Sequence, residues 1–145
     1  DNPEGIGGVE HLAGKTVCSQ EGSTSAENIR EQAPEAKLVL LGGYKECADA
    51  MRDGTDGIVA VSTDDTILLG IAAESPDDFE VVGNPFTEEQ YGIGVPEGQE
   101  EFCEFINEVL AEKVEDGSVQ KAWDATAGKG QEREIESLEP WGCDT

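Results

Sequence analysis

The stretch Thr16-Val17-Cys18-Ser19-Gln20-Glu21-Gly22-Ser23-Thr24-Ser25-Ala26-Glu27 decides the fold. Thr16 to Gln20 reads as a short strand, Glu21-Gly22-Ser23 as a turn, and Ala26 to Gln32 as a helix. The same cycle repeats downstream. Lys37 to Leu41 is a second strand, Gly42-Gly43 breaks it, and Cys47, Ala48, Ala50 and Met51 form the apolar side of a helix that stops at Gly54. Ile58 to Val61 is a third strand, continuous rather than alternating in its apolar residues and therefore buried on both faces. Ser62-Thr63-Asp64-Asp65 then caps an apolar helix over Thr66 to Ala73. Phe79 to Val82 and Tyr91 to Val95 read as two further strands, separated by Gly83-Asn84-Pro85. Strands and helices alternating about every twenty residues are the signature of βαβ units, which wrap right-handed around a mostly parallel sheet. The expected class is three-layer α/β.

Beyond Pro96 the pattern changes. Phe102, Phe105, Ile106, Val109, Leu110 and Val114 recur at helical spacing with acids opposite, which predicts an amphipathic helix ending at Gly117. A shorter helix through Val119 and Trp123 follows. From Gly128 the chain is polar and rich in Gly and Glu, tied down only by Trp141 and Cys143. No internal repeat is present.

Composition bounds the function. The 145 residues suit one ordinary domain, and 33 acidic against 9 basic residues give a formal charge of −24. Such a chain repels a phosphate backbone, so nucleic acid is an unsuitable partner, and anionic membrane surfaces are disfavoured as well. Apolar residues still make up 37% of the chain, enough for a core with the acids as a solvated surface. No apolar run approaches the roughly 20 residues that span a bilayer. The sequence has no initiator Met and no signal peptide, which points to a processed or excised piece of a longer precursor.

The four cysteines, at 18, 47, 103 and 143, contain no CxxC pair and match no usual zinc template. Their even number and wide spread suit two disulfides and hence an exported protein; three pairings are formally open. Asp53-Gly54-Thr55-Asp56-Gly57 has the look of a calcium loop but lacks the alternating ligands and the closing Glu, so it reads as a plain turn. The sequence calls for no metal and no cofactor.

Two segments could carry chemistry. Ser23-Thr24-Ser25-Ala26-Glu27 follows a strand and opens a helix, and Thr24 with Glu27 fits a capping box. Its functional reading is an anion grip, because a helix N-terminus offers unbonded N–H groups and a favourable dipole at the carboxyl end of a strand. Thr63-Asp64-Asp65 also joins a strand to a helix and can be read as a cap. Read functionally, its carboxylate would hold an ammonium group through charge-assisted hydrogen bonds. An anion grip and a cation grip on one sheet edge describe a receptor for a zwitterion, and so for an amino acid.

The motifs Leu12-Ala13-Gly14-Lys15-Thr16-Val17, Gln20-Glu21-Gly22-Ser23-Thr24-Ser25, Tyr44 ahead of Cys47-Ala48-Asp49-Ala50-Met51, Ala60-Val61-Ser62-Thr63-Asp64-Asp65, Gln90-Tyr91-Gly92-Ile93-Gly94-Val95 and Glu115-Asp116-Gly117-Ser118, in that order, resemble the polar-amino-acid solute-binding proteins of ABC importers. The likeness runs from about Leu12 to Trp123 and is strongest to actinobacterial glutamate-binding lipoproteins, which have Cys at the positions of Cys18 and Cys47. It implies a type II periplasmic-binding-protein-like lobe with a mostly parallel sheet, followed by C-terminal helices. In that family two lobes close on the ligand. The implied division is a linker over 1–11, the second lobe with its crossing strand over 12–95, C-terminal helices over 96–127 and a polar tail over 128–145. The first lobe, with its Arg clamp for the carboxylate, is not in this sequence.

By the resemblance Thr24, with Ser23, Gly22 and Ser25, contacts the α-carboxylate, Asp64 holds the α-amino group, and Gln20 and Thr63 flank the side-chain end. Val59 departs from the family pattern, which commonly has Asp there. The expected disulfides are Cys18–Cys47 and Cys103–Cys143, each closing a loop worth roughly 3 to 4 kcal/mol on the chain-entropy model; four free thiols are the alternative. The apolar side of the Phe102 to Val114 helix is expected to fold back on the sheet, to pair with a second copy as a homodimer, or to stay partly exposed. The implied role is extracellular capture of glutamate or a relative for an ABC permease, as a cell-surface lipoprotein of a Gram-positive bacterium. A ligand-sensing domain on the same fold is the alternative. A lyase is a third, disfavoured because His11 is the sole histidine and lies outside the folded pattern.

Overall fold

A computed structural model describes residues 4–89, 91–128, 134–135 and 142–143. Gln90, Trp141 and most of the acidic tail from Glu132 to Glu139 lie outside the described residues. The chain forms two compact units, Asp1–Glu89 and Gln90–Thr145, so the division falls ahead of the expected crossing strand rather than after it.

The first unit is built on a three-stranded parallel sheet. β1 (Thr16–Gln20) lies between β2 (Lys37–Leu41) and β3 (Ile58–Val61), in the order β2-β1-β3. α1 (Thr24–Gln32), α2 (Tyr44–Arg52) and α3 (Asp65–Glu74) each follow a strand. Alternation along β1 splits the core into two layers. On one face Val17 packs with Leu12, with Ile29 and Ala33 from the α1 side, and with Ile6. On the other Cys18 packs with Cys47 of α2 and Ile58, with Val39, Met51 and Val61 around them. Burying a Val or Ile side chain completely contributes about 1.5–3 kcal/mol, so Val17 and Ile29, at 0% and 1% exposure, anchor the first layer.

One departure from the family pattern is explained and two sequence expectations are corrected. A register shift between β1 and β3 at Thr16/Val17 pairs Thr16 with Ile58 but Val17 with Ala60. That irregularity lets both Val59 and Ala60 pack toward the first layer, so Val59 serves the core. The expected linker over 1–11 is part of the domain, since Ile6 is buried in the core and Val9–His11 forms a 3-10 turn packed beside it. Neither Phe79–Val82 nor Tyr91–Val95 forms a strand. Phe79 to Val82 instead walls an apolar groove of about 340 Å³ beside β3, with Val59, Val61, Leu68 and Ile71 opposite. Tyr91 and Ile93 are 78% and 62% exposed. A strand is stabilised by its neighbour, and with no ladder partner among the described residues β propensity alone does not make one.

In the second unit α4 (Glu100–Glu115) and α5 (Ser118–Ala125) are joined at Gly117, whose φ of +75° suits glycine. Asp116 fixes the corner: its carboxylate accepts from the Ser118 amide at 2.8 Å and from Lys113 Nζ at 2.8 Å. A Cys103–Cys143 disulfide, Cα–Cα 5.8 Å, ties the tail to α4. Asn107 Nδ2 donates to Cys143 Sγ at 3.3 Å, and the Ile135 amide donates to Gln120 Oε1 at 2.7 Å. Phe102 and Phe105 on α4 are 49% and 58% exposed. No helix among the described residues is long and apolar enough to cross a membrane.

Candidate functional site

All three strand-to-helix connections of a parallel sheet emerge at the carboxyl ends of the strands. In the order β2-β1-β3 the central connection, Glu21 to Ser23, is flanked by those of β2 and β3. The edge where they meet is where open α/β sheets bind ligands.

The central connection is a tight turn closed by its own side chain. Gly22 has φ +73°, a left-handed conformation that costs a residue with a Cβ about 1–2 kcal/mol. Ser23 is the N-cap of α1: its Oγ accepts from the Ala26 amide at 3.1 Å and donates to the Gln20 carbonyl at 2.8 Å. The cap is therefore Ser23 and not Thr24, which is the first helical residue and is exposed. Glu27 does not complete a capping box; it pairs with Arg30. Ser23 occupies the cap because its backbone is extended, φ −87° and ψ 152°, as capping requires. With Ala26 capped, the amides of Thr24 and Ser25 in the first turn are the ones a helix leaves for an outside acceptor.

The β3 connection is held to the central one through buried polar atoms. Ser19 Oγ, fully buried in β1, donates to the Ser62 carbonyl at 2.9 Å and lies 3.4 Å from Ser23 Oγ. The Ser62 amide donates to the Cys18 carbonyl at 3.0 Å. Asp64 is the N-cap of α3 by position but makes no side-chain capping bond, whereas Asp65 Oδ1 accepts from the Thr66 amide at 2.7 Å. Thr63 Oγ1 is sealed from solvent with no partner at hydrogen-bonding geometry.

The β2 connection supplies a residue that the sequence did not mark as a site. Tyr44, the first residue of α2, has its phenol net lowered from the ordinary 10.0. Burial pushes it up, the nearby hydroxyls of Ser23, Thr63 and Ser25 pull it down further without forming well-aligned hydrogen bonds to it, and the Asp64 charge opposes that. Tyr44 thus reaches residues of both other connections. Its position after Gly42-Gly43, one residue into the second βα helix, is equivalent to that of Thr24 and was the available signal. The buried Ser19 carried none, because a lone Ser within a strand reads as filler.

Of the expected site residues, Gln20, Gly22, Ser23, Thr24 and Ser25 lie on the β1 connection, and Thr63 and Asp64 on its neighbour. Cys18 of β1 and Cys47 of α2 form a disulfide with Cα–Cα 5.6 Å. The edge carries the first-turn N–H groups of α1, several hydroxyls and a carboxylate.

No family model matches the chain. It is 39% identical over 122 residues to the ABC transporter glutamine-binding protein GlnH of Bacillus subtilis, covering 81% of this chain and 44% of that protein. It is 36% identical over 113 residues to the glutamate-binding protein GluB of Corynebacterium efficiens, covering 74% and 38%. Among solved structures it is similar to an ancestral arginine-binding protein bound to glutamine, at 32% identity and TM-score 0.75 over 86% of this chain and 55% of that one. It is also similar to the GluR0 ligand-binding core from Nostoc punctiforme in complex with L-glutamate, at 30% identity and TM-score 0.73 over 83% and 55%. The chain spans less than half the length of these curated relatives. In sequence and in its α/β lobe, the chain is similar to part of these binding proteins.

Proposed function

We propose that the chain carries one wall of an amino-acid binding site and acts outside the cell as part of the capture component of an ABC importer, with glutamate or a close relative as ligand. In this reading the amides and hydroxyls of Gly22 to Ser25 take the α-carboxylate, Asp64 takes the α-amino group, and Gln20, Thr63 and Tyr44 line the side-chain end. The observation that carries it is the meeting of a capped helix N-terminus, Tyr44 and Asp64 at one sheet edge. Ligand names among the relatives, glutamine and glutamate, support the ligand class. Two disulfides support an exported protein, here a surface lipoprotein of a Gram-positive cell. A second copy meeting the exposed Phe102 and Phe105 of α4 belongs to the proposal, and a monomer in sedimentation velocity would remove it.

One wall binds weakly; a millimolar ligand is held by only about 4 kcal/mol. The test is therefore amide chemical-shift mapping with glutamate, glutamine and aspartate at millimolar concentration, with arginine as the basic control. Saturable shifts at residues 22–25 and 63–65, removed by Asp64→Asn, are expected. Shifts elsewhere, or none with any acid or amide, would refute the assignment.

A further inference from the structure

We propose that the chain exchanges a strand with a second copy of itself: the uncharged segment Tyr91 to Val95 of one copy enters the apolar groove beside β3 of the other, and the reverse. The inference stands apart from the ligand assignment above.

The groove lies where the sheet stops without protection. β3 is an edge of the sheet and pairs with β1 alone among the described residues. Its residues, Ile58-Val59-Ala60-Val61, include neither the charge nor the proline that keeps an edge strand from adding a neighbour, whereas β2, the other edge, opens on the exposed Lys37. Across the groove Phe79 to Val82 has the composition of a strand but forms none. Both long walls are thus of strand character, and the space of about 340 Å³ between them is apolar. Val81 and Val82 are left 40% and 39% exposed. An extended segment pairing with β3 would cover them; in this mode of recognition main-chain bonds supply affinity and alternate side chains supply fit.

The groove also selects its occupant. Glu4, Asp78 and Glu80 stand among its lining residues, and they would repel a segment bearing acid. In the second unit, Gln90 to Pro96 is the longest run without a charged side chain. Within it Tyr91, Ile93 and Val95 alternate with Gly92 and Gly94, which puts apolar groups on one face of an extended chain and leaves the other face bare. Tyr91 and Ile93 are 78% and 62% exposed, apolar area that a strand partner would take out of water. Each copy brings both a groove and such a segment, so the exchange closes as a two-fold dimer with neither left over.

The test is the oligomeric state and its dependence on both partners of the exchange. Sedimentation velocity over a range of protein concentrations, in about 0.5 M salt so that two chains of charge −24 are screened from one another, should show a dimer. Ile93→Asp carries a charge into the apolar groove and should weaken dimerisation about tenfold or more. Ile93→Pro keeps an apolar side chain but removes an amide, and a paired strand should tolerate it no better. Phe102→Ser/Phe105→Ser should leave the dimer in place, which separates this contact from one made through α4. The amides of Ile58 to Val61 should gain exchange protection as protein concentration rises, and Ile93→Asp should abolish that gain. Should either Ile93 variant lose its helical circular dichroism, Val82→Asp on the opposite wall decides in its place and should likewise be monomeric. A monomeric parent, a dimer that survives the folded variants, or protection of β3 that is independent of protein concentration overturns the proposal. None of these readouts uses a ligand, so a failure of glutamate binding would refute the functional assignment and leave the exchange standing.

Discussion

Ser19 Oγ donates to the backbone carbonyl of Ser62 at 2.9 Å, joining β1 to the connection after β3 across 43 residues of sequence. Both residues are buried, so water cannot replace the bond. Ser19→Ala should lower stability by about 1–3 kcal/mol, the cost of leaving a buried acceptor without its donor. Urea unfolding followed by far-ultraviolet circular dichroism checks it. A change below about 0.5 kcal/mol, the scale of an ordinary surface substitution, would mean that the hydroxyl does not tie the loops.

Ser23 and Thr24 should separate capping from ligand contact. Ser23→Ala removes the acceptor for the Ala26 amide and should cost about 1 kcal/mol. Thr24→Ala, at an exposed position, should stay within about 0.5 kcal/mol in stability while weakening the glutamate-induced shifts. Equal losses of stability in the two variants would restore Thr24 as the cap.

The Cys103–Cys143 bond closes a separation of 40 residues in the second unit. On the chain-entropy model its removal costs about 4 kcal/mol. Both tryptophans, Trp123 and Trp141, fall in that unit, so their fluorescence follows it alone. Cys103→Ala/Cys143→Ala should shift the fluorescence transition to lower urea and leave the transition of the β-sheet unit, read by amide exchange at Val17 and Ile29, where it was.

Asp116 links acid to the α4–α5 corner. Hydrogen bonds from Lys113 and then from Ser118 hold its carboxyl at about 2, below the ordinary 3.8. A depressed folded-state pKa stabilises the corner above 3.8 and the contribution is lost as pH falls toward 2. Carboxyl carbon shifts should place the Asp116 midpoint near 2, and Lys113→Ala should raise it. A midpoint already at 3.8 in the parent would show that the corner does not use this charge.

Much of this was legible in the residues themselves. Gly22 and Ser23 sit where a strand must turn into a helix, and their neighbours offer little else to do, so local chemistry determined the loop. The strands of β1 to β3 were readable because each is an apolar run bounded by breakers. The Thr24 cap was misread because Thr and Ser adjoin, and which becomes the cap depends on a backbone angle that no residue type dictates. The strands expected at Phe79–Val82 and Tyr91–Val95 failed for a different reason, since pairing is a property of two segments and the sequence of one does not contain the other.

The βα alternation, the acidic surface and the residues at the strand ends follow from the chain's own order of residues, because each depends on contacts a few residues long. The central place of β1, the reach of Ser19 to Ser62 and the nearness of Tyr44 to Ser23, Ser25 and Thr63 came only with the closed fold. Those relations join positions tens of residues apart, and they exist only once the core has closed around Val17 and Cys18 and brought the three connections to one edge.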